Sequence, residues 1–208
     1  MRIAELTLVN FRCFGPEGVT IPFENLTTFV GANGSGKTAI LQALTRLFGM
    51  TQQERLLDPS DFHLARDRSR DDLGPNETLT LAIEAKLSFP ELDEEGEDLS
   101  AVGECFAQML VTEAAGEPYC RVRLEGTWAK GNVPQGEIDQ KLFWVRSAEE
   151  EPQDKHKIGM APYERAQIHV HYVPAARDPS KQIRHVSGTI INRLFRALKW
   201  SPDRKRHV

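Results

Sequence analysis

Gly31, Gly36, Lys37 and Thr38 stand in the order G-x-x-x-x-G-K-[ST] within the stretch VGANGSGKTAILQAL. That spacing suits one chemistry, the holding of a polyphosphate. Glycines let the backbone turn its N–H groups onto phosphate oxygens through conformations that a side chain would forbid. The N-terminus of a following helix adds partial positive charge. Lys37 is placed to reach the β- and γ-phosphates, and the Thr38 hydroxyl to coordinate Mg²⁺. Gly31, Ala32, Asn33, Gly34, Ser35, Gly36, Lys37 and Thr38 are the candidate nucleotide-binding residues.

The flanks supply what such a loop needs. Leu26 to Val30 is predicted as a short buried strand. Ile40, Leu41, Leu44, Leu47 and Phe48 recur at helical spacing, with Gly49 placed to end the helix. Ahead of the loop, residues 3–9 (IAELTLV) and 19–23 (VTIPF) alternate around the turn-forming NFRCFGPEG, predicting an antiparallel pair that covers or joins the sheet holding the loop. After the helix, residues 51–77 are polar and broken by Pro59, Gly74 and Pro75, and read as an irregular surface excursion.

A strict period of two then appears at Leu79, Leu81, Ile83, Ala85, Leu87 and Phe89. It repeats at Cys120, Val122, Leu124, Gly126 and Trp128, and KLFWVRS offers a third strand. Together these predict an antiparallel sheet with one polar face. Leu99, Val102, Phe106, Met109 and Leu110 predict a helix packed on it. Residues 148–166 read as a linker, IHVHYV as a buried strand ending at Pro174, and residues from about Thr189 to Trp200 as an amphipathic helix.

Composition sets limits on function. The 208 residues, 40% of them hydrophobic, suffice for a genuine core. No apolar stretch approaches the roughly 20 residues that span a bilayer, and the amino terminus alternates, so a cytoplasmic protein is expected. Cys13, Cys105 and Cys120 lack metal-site spacing. His169 and His171 share a strand face, where a polar surface and a metal site that still wants a third ligand are both readings. The net charge of -4 hides an acidic run at 91–104 and nine Lys/Arg in 177–208. The basic run fits nucleic acid or an ordinary basic helix face. No G-x-S-x-G, H-E-x-x-H or C-x-x-C supports hydrolysis by a nucleophile or metal.

LTLVNFRCF, followed some twenty residues later by VGANGSGKTAILQAL and then a β-rich insertion, resembles the amino-terminal lobe of ABC-type ATPases of the RecF/SMC kind. DPSDFH at 58–63 and VHYVPAARDPSKQIR at 170–184 narrow this to the overcoming-lysogenization-defect (OLD) family of ATP-dependent nucleases. The resemblance implies an α/β P-loop NTPase lobe with a mixed sheet and an antiparallel β subdomain. Residues 1–77 would be the loop-bearing core, 78–147 the subdomain, and 148–208 a linker, return strand and basic helix. It implies ATP and Mg²⁺ as cofactors, with Thr38 on the metal. Asn10 and Arg12 would lie near nucleotide, Arg12 being either a phosphate or ribose contact or a plain surface arginine. Asp178, near the Q-loop position, would be a second metal-side contact, with Gln182 further on. A homodimer or higher oligomer, DNA as a partner of the full-length protein, and a role in DNA repair or phage defence are implied too, with no membrane involvement.

The same comparison identifies what the chain lacks. There is no Walker B string, no LSGGQ-like signature and no Toprim carboxylate pattern, so no catalytic residue is assigned. The family continues where KWSPDRKRHV stops, which reads as an amino-terminal piece of a longer endonuclease, inactive by itself. A RecF- or SMC-like DNA-repair clamp and a non-catalytic nucleotide-binding regulatory module are the alternatives.

Overall fold

The computed structural model describes residues 1–74, 77–92, 102–112, 117–131 and 136–173. Six strands form one sheet: β1 (Arg2–Val9), β2 (Val19–Pro22), β3 (Thr78–Ser88), β4 (Tyr119–Ala129), β5 (Glu137–Val145) and β6 (Lys157–Gly159), in the order β2-β1-β3-β4-β5-β6. Every pairing is antiparallel. The helices are α1 (Lys37–Phe48) and the single turns α2 (Gln52–Arg55), α3 (Glu104–Ala107) and α4 (Pro162–Arg165). The α/β class is as expected, and the β1–β2 pair joins the sheet through β3. The expected mixed sheet is not seen among the described residues, where parallel contact is confined to the isolated Gly49–Val170 bridge.

The period of two is realised as read. Leu6 and Leu8 of β1, Ile83, Ala85 and Leu87 of β3, and Cys120, Val122 and Leu124 of β4 are fully buried on one face. Ala39, Ile40, Ala43, Leu44, Leu47 and Phe48 of α1 belong to the same core. Gly126 is small for a reason: a Cβ there would come within 2.4 Å of Leu57 Cδ1 and 3.3 Å of Phe62. Its absence lets the 57–62 stretch lie against the sheet, and Gln140 ties that stretch down by accepting from Leu57 N (2.7 Å) and donating to Arg55 O (3.1 Å).

The other face is polar and consumed by ion pairs. Arg121 donates to Glu84 (2.6 Å) and to the carbonyls of Ser147 and Glu149. Arg123 reaches Glu84, Glu125 and Glu151. Both guanidiniums are buried under residues 147–151, so each needs these partners.

Two predicted strands are absent. Leu26 to Val30 adopts no strand, and Leu26 and Val30 are 85% and 91% exposed. An apolar run alone does not make a buried strand; it also requires a neighbour for its N–H and C=O groups. IHVHYV makes a single bridge, at Val170. Its alternation survives: Ile168 is buried, while His169 and His171 are exposed. The predicted 99–110 helix is the one turn of α3, with Val102 and Phe106 buried; Leu99 lies outside the described residues.

The far end of α1 is fastened by distant residues. Arg165 donates to Leu47 O (2.7 Å) and Arg46 O (2.6 Å), and Val170 N donates to Phe48 O (3.3 Å). These satisfy carbonyls that a helix C-terminus leaves open, and a cation there is favoured by the helix dipole. Gly49 closes the helix as expected, its N–H on Thr45 O at 2.8 Å.

Candidate functional site

The loop from Gly31 to Thr38 enters α1 at the protein surface. Gly34 and Gly36 have φ of 84° and 92°, the left-handed region where a side chain is strained. Gly36 is the N-cap of α1. A Cβ on it would fall 2.8 Å from Phe14 and 3.0 Å from Cys13 Sγ, and one on Gly31 would lie 2.9 Å from Ser35 Oγ. Beyond its chain neighbours, a Cβ on Gly34 would meet no side chain or backbone within 4 Å among the described residues, so its left-handed φ alone calls for glycine there.

Lys37 folds back into this turn. Its Nζ donates to Gly31 O and Ala32 O at 2.7 Å each, with Ser35 Oγ at 3.5 Å. The ammonium is thus held inside the loop by carbonyls, which phosphate oxygens can replace. Thr38 is exposed in the first turn of α1. Glycines at the positions a Cβ would block, a lysine turned inward and a helix N-terminus behind them fit a nucleotide phosphate with its Mg²⁺. Among the described residues no group of three His, Cys, Asp or Glu is set to hold a metal on its own.

Asn10 and Arg12 lie in the turn that packs on the loop. Both have positive φ, 52° and 53°. Arg12 spends its guanidinium on Asp61, from Nε at 2.8 Å and Nη2 at 2.7 Å. Arg46 of α1 donates to the other oxygen of Asp61 at 2.7 Å. Sequence reading singles out neither Arg46 nor a role for Asp61, although Asp61 sits in the quoted DPSDFH. Neighbouring Asp58 is held below its ordinary pKa by hydrogen bonds from the Ser60 hydroxyl and N–H. Asp178, Gln182 and the basic run lie outside the described residues.

Cysteine reactivity separates the loop wall from the core. Cys120 is buried, and burial pushes its thiol up to about 12, leaving no thiolate at neutral pH. Cys13 is exposed beside Gly36. Brief maleimide treatment of native protein is expected to label Cys13 and spare Cys120, with ATP–Mg²⁺ slowing the labelling of Cys13. Peptide mass mapping checks both; equal labelling of the two thiols would contradict this packing.

The family comparison covers this site whole. Residues 1–96 match the AAA ATPase domain family. Over that stretch the chain is similar to ATPase domains, for which nucleotide binding, typically with Mg²⁺, is the shared property. No curated protein matches the sequence significantly. The solved structures to which the chain is similar include three of low identity. The first, from work on ATP-driven dimerization and DNA-stimulated activation of SMC ATPases, is 20% identical with a TM-score of 0.41, over 99% of this chain and 96% of that one. An Smc head bound to the C-terminal winged-helix domain of ScpA is 22% identical with a TM-score of 0.37, over 68% and 35% of the two chains. The Pyrococcus furiosus Smc head with an extended coiled coil, bound to the C-terminal domain of ScpA, is 21% identical with a TM-score of 0.41, over 80% and 32%. The chain therefore spans about a third of the last two. No helix of the described residues is long and apolar enough to cross a membrane.

Proposed function

We propose that this chain is the ATP-binding lobe of an OLD-like, ATP-dependent DNA endonuclease, in which ATP–Mg²⁺ at Gly31–Thr38 gates cleavage by a separate domain. The observation that carries the nucleotide half is the inward-turned Lys37 over a glycine-built turn at the head of α1. The OLD half rests on DPSDFH and on VHYVPAARDPSKQIR. In this reading Lys37 and the loop N–H groups hold the β- and γ-phosphates and Thr38 orients Mg²⁺, with Asn10 near the nucleotide. Asp178 would add a metal-side contact.

Within the described residues, Asp61 is the buried carboxylate nearest in sequence to the loop, and two arginines already claim it. It is not free to hold metal or orient water. In this reading the carboxylates for hydrolysis come from outside the described residues, and a second copy closes over the bound nucleotide as a dimer.

The 208-residue chain is expected to bind ATP–Mg²⁺ without turning it over, read by isothermal titration beside a phosphate-release assay. Steady turnover that Lys37→Ala abolishes would show a complete hydrolytic site in this chain and sink the half-site reading. For the full-length protein, ATP-dependent nicking of supercoiled plasmid is expected with Mg²⁺. ATP-dependent DNA retention without nicking would instead support a clamp.

A further inference from the structure

The buried Asp61 has no part in the chemistry just described, yet it is the most heavily bonded carboxylate near the loop. Its side chain is fully buried. It accepts from Arg12 Nε at 2.8 Å and Nη2 at 2.7 Å, from Arg46 Nε at 2.7 Å and from Asp58 N at 2.9 Å. A carboxylate this far from water persists only when such partners replace its hydration.

The two arginines come from the two walls of the phosphate loop. Arg46 rides on α1, nine residues after Lys37 and so about 13 Å along the helix. Arg12 belongs to the turn after β1, where Asn10 and Arg12 both hold left-handed backbone that non-glycine residues seldom adopt. That strain is held by the Asp61 segment: Arg12 N donates to Asp61 O (2.8 Å), His63 N to Asn10 O (2.9 Å), and His63 Nδ1 sits 2.7 Å from Arg12 O. Phe11 and Phe62 bridge beside it. The turn then delivers Cys13 and Phe14 against Gly36, the N-cap of α1, at the spacing only a glycine admits.

Building on the nucleotide reading above, we propose that Asp61 is a positioning residue of the phosphate loop, clamping the 10–15 turn and α1 together through Arg12 and Arg46 so that Gly36 and the loop N–H groups are set for phosphate before nucleotide arrives. It touches no nucleotide. Its effect is to fix the distance between the two walls.

Asp61→Asn keeps the shape and removes the charge that both arginines need. Arg46→Gln is the second variant, because position 46 is too far from the loop to contact phosphate and any change in affinity must be transmitted. In the 208-residue chain, titration with a fluorescent ATP analogue and Mg²⁺, well below each variant's Tm, is expected to show weakening on the order of tenfold for both, as for loss of other supporting-shell partners. Hydrogen exchange of the 33–37 amides should quicken in parallel without nucleotide. Variants that melt earlier yet keep wild-type affinity and loop exchange would overturn the assignment and leave Asp61 a purely structural residue. If Asp61→Asn does not fold, Arg46→Gln decides alone. If the wild-type chain itself binds no ATP, the nucleotide reading fails, and unchanged loop exchange in the variants then independently refutes the clamp.

Discussion

Lys37→Ala is expected to weaken ATP–Mg²⁺ binding by about 100-fold while leaving the melting temperature nearly unchanged. Hydrogen bonds to a charged group contribute roughly 1.5–3 kcal/mol net, and losing about 3 kcal/mol corresponds to some two decades in Kd. The fold is spared because Lys37 now rests only on Gly31 O, Ala32 O and Ser35 Oγ, all in exposed residues. Water can take over those carbonyls when the ammonium is gone. Calorimetric titration beside thermal denaturation separates the two effects. Wild-type affinity in the variant would mean that the loop does not hold phosphate.

Trp144→Ala is expected to have the opposite profile, with stability lost at a site remote from the loop. Trp144 is fully buried on β5 opposite Val122, edge-to-face with Phe106 at 5.7 Å, and donates from Nε1 to Glu164 at 3.1 Å. Truncating a buried tryptophan costs about 3–5 kcal/mol. For a chain of this size that lowers Tm by roughly 6–20 °C. The second loss is polar: buried Glu164 keeps Ala161 N at 2.7 Å but loses the indole. Trp144→Phe weighs the polar contribution more heavily, since it drops the hydrogen bond to Glu164 while keeping most of the aromatic volume. Its expected cost is about 1–2 kcal/mol. A Trp144→Ala protein melting within a degree or two of wild type would contradict the core described here.

How much of this was legible in the residues depended on how local the determining physics was. The β3–β5 sheet could be read because one buried face imposes period two, and Leu81, Ile83 and Leu87 obey it without reference to anything distant. The phosphate loop could be read because eight consecutive residues hold its whole chemistry. Leu26 to Val30 could not, since its apolar character says nothing about whether a strand lies alongside. Nor could the short reach of α3, which stops after one turn. Asp61 was hidden for a similar reason. In DPSDFH an aspartate looks like one more polar loop residue, and its burial follows only from arginines 49 and 15 positions away in the chain. The resemblance drew attention to that motif without supplying its role.

The clasp at the far end of α1 also has a meaning in time. Leu47 O receives its partner from Arg165, 118 residues later. At roughly 5–20 residues per second, a ribosome delivers that partner about 6–24 s after the helix has been made. During that interval the helix that carries the phosphate loop has one end unfinished. The newborn chain must shelter Leu47 and Phe48 without β4, β5 or Arg165, while the Arg12–Asp61–Arg46 contacts that tie α1 to the turn beside the loop draw only on residues already made by position 61.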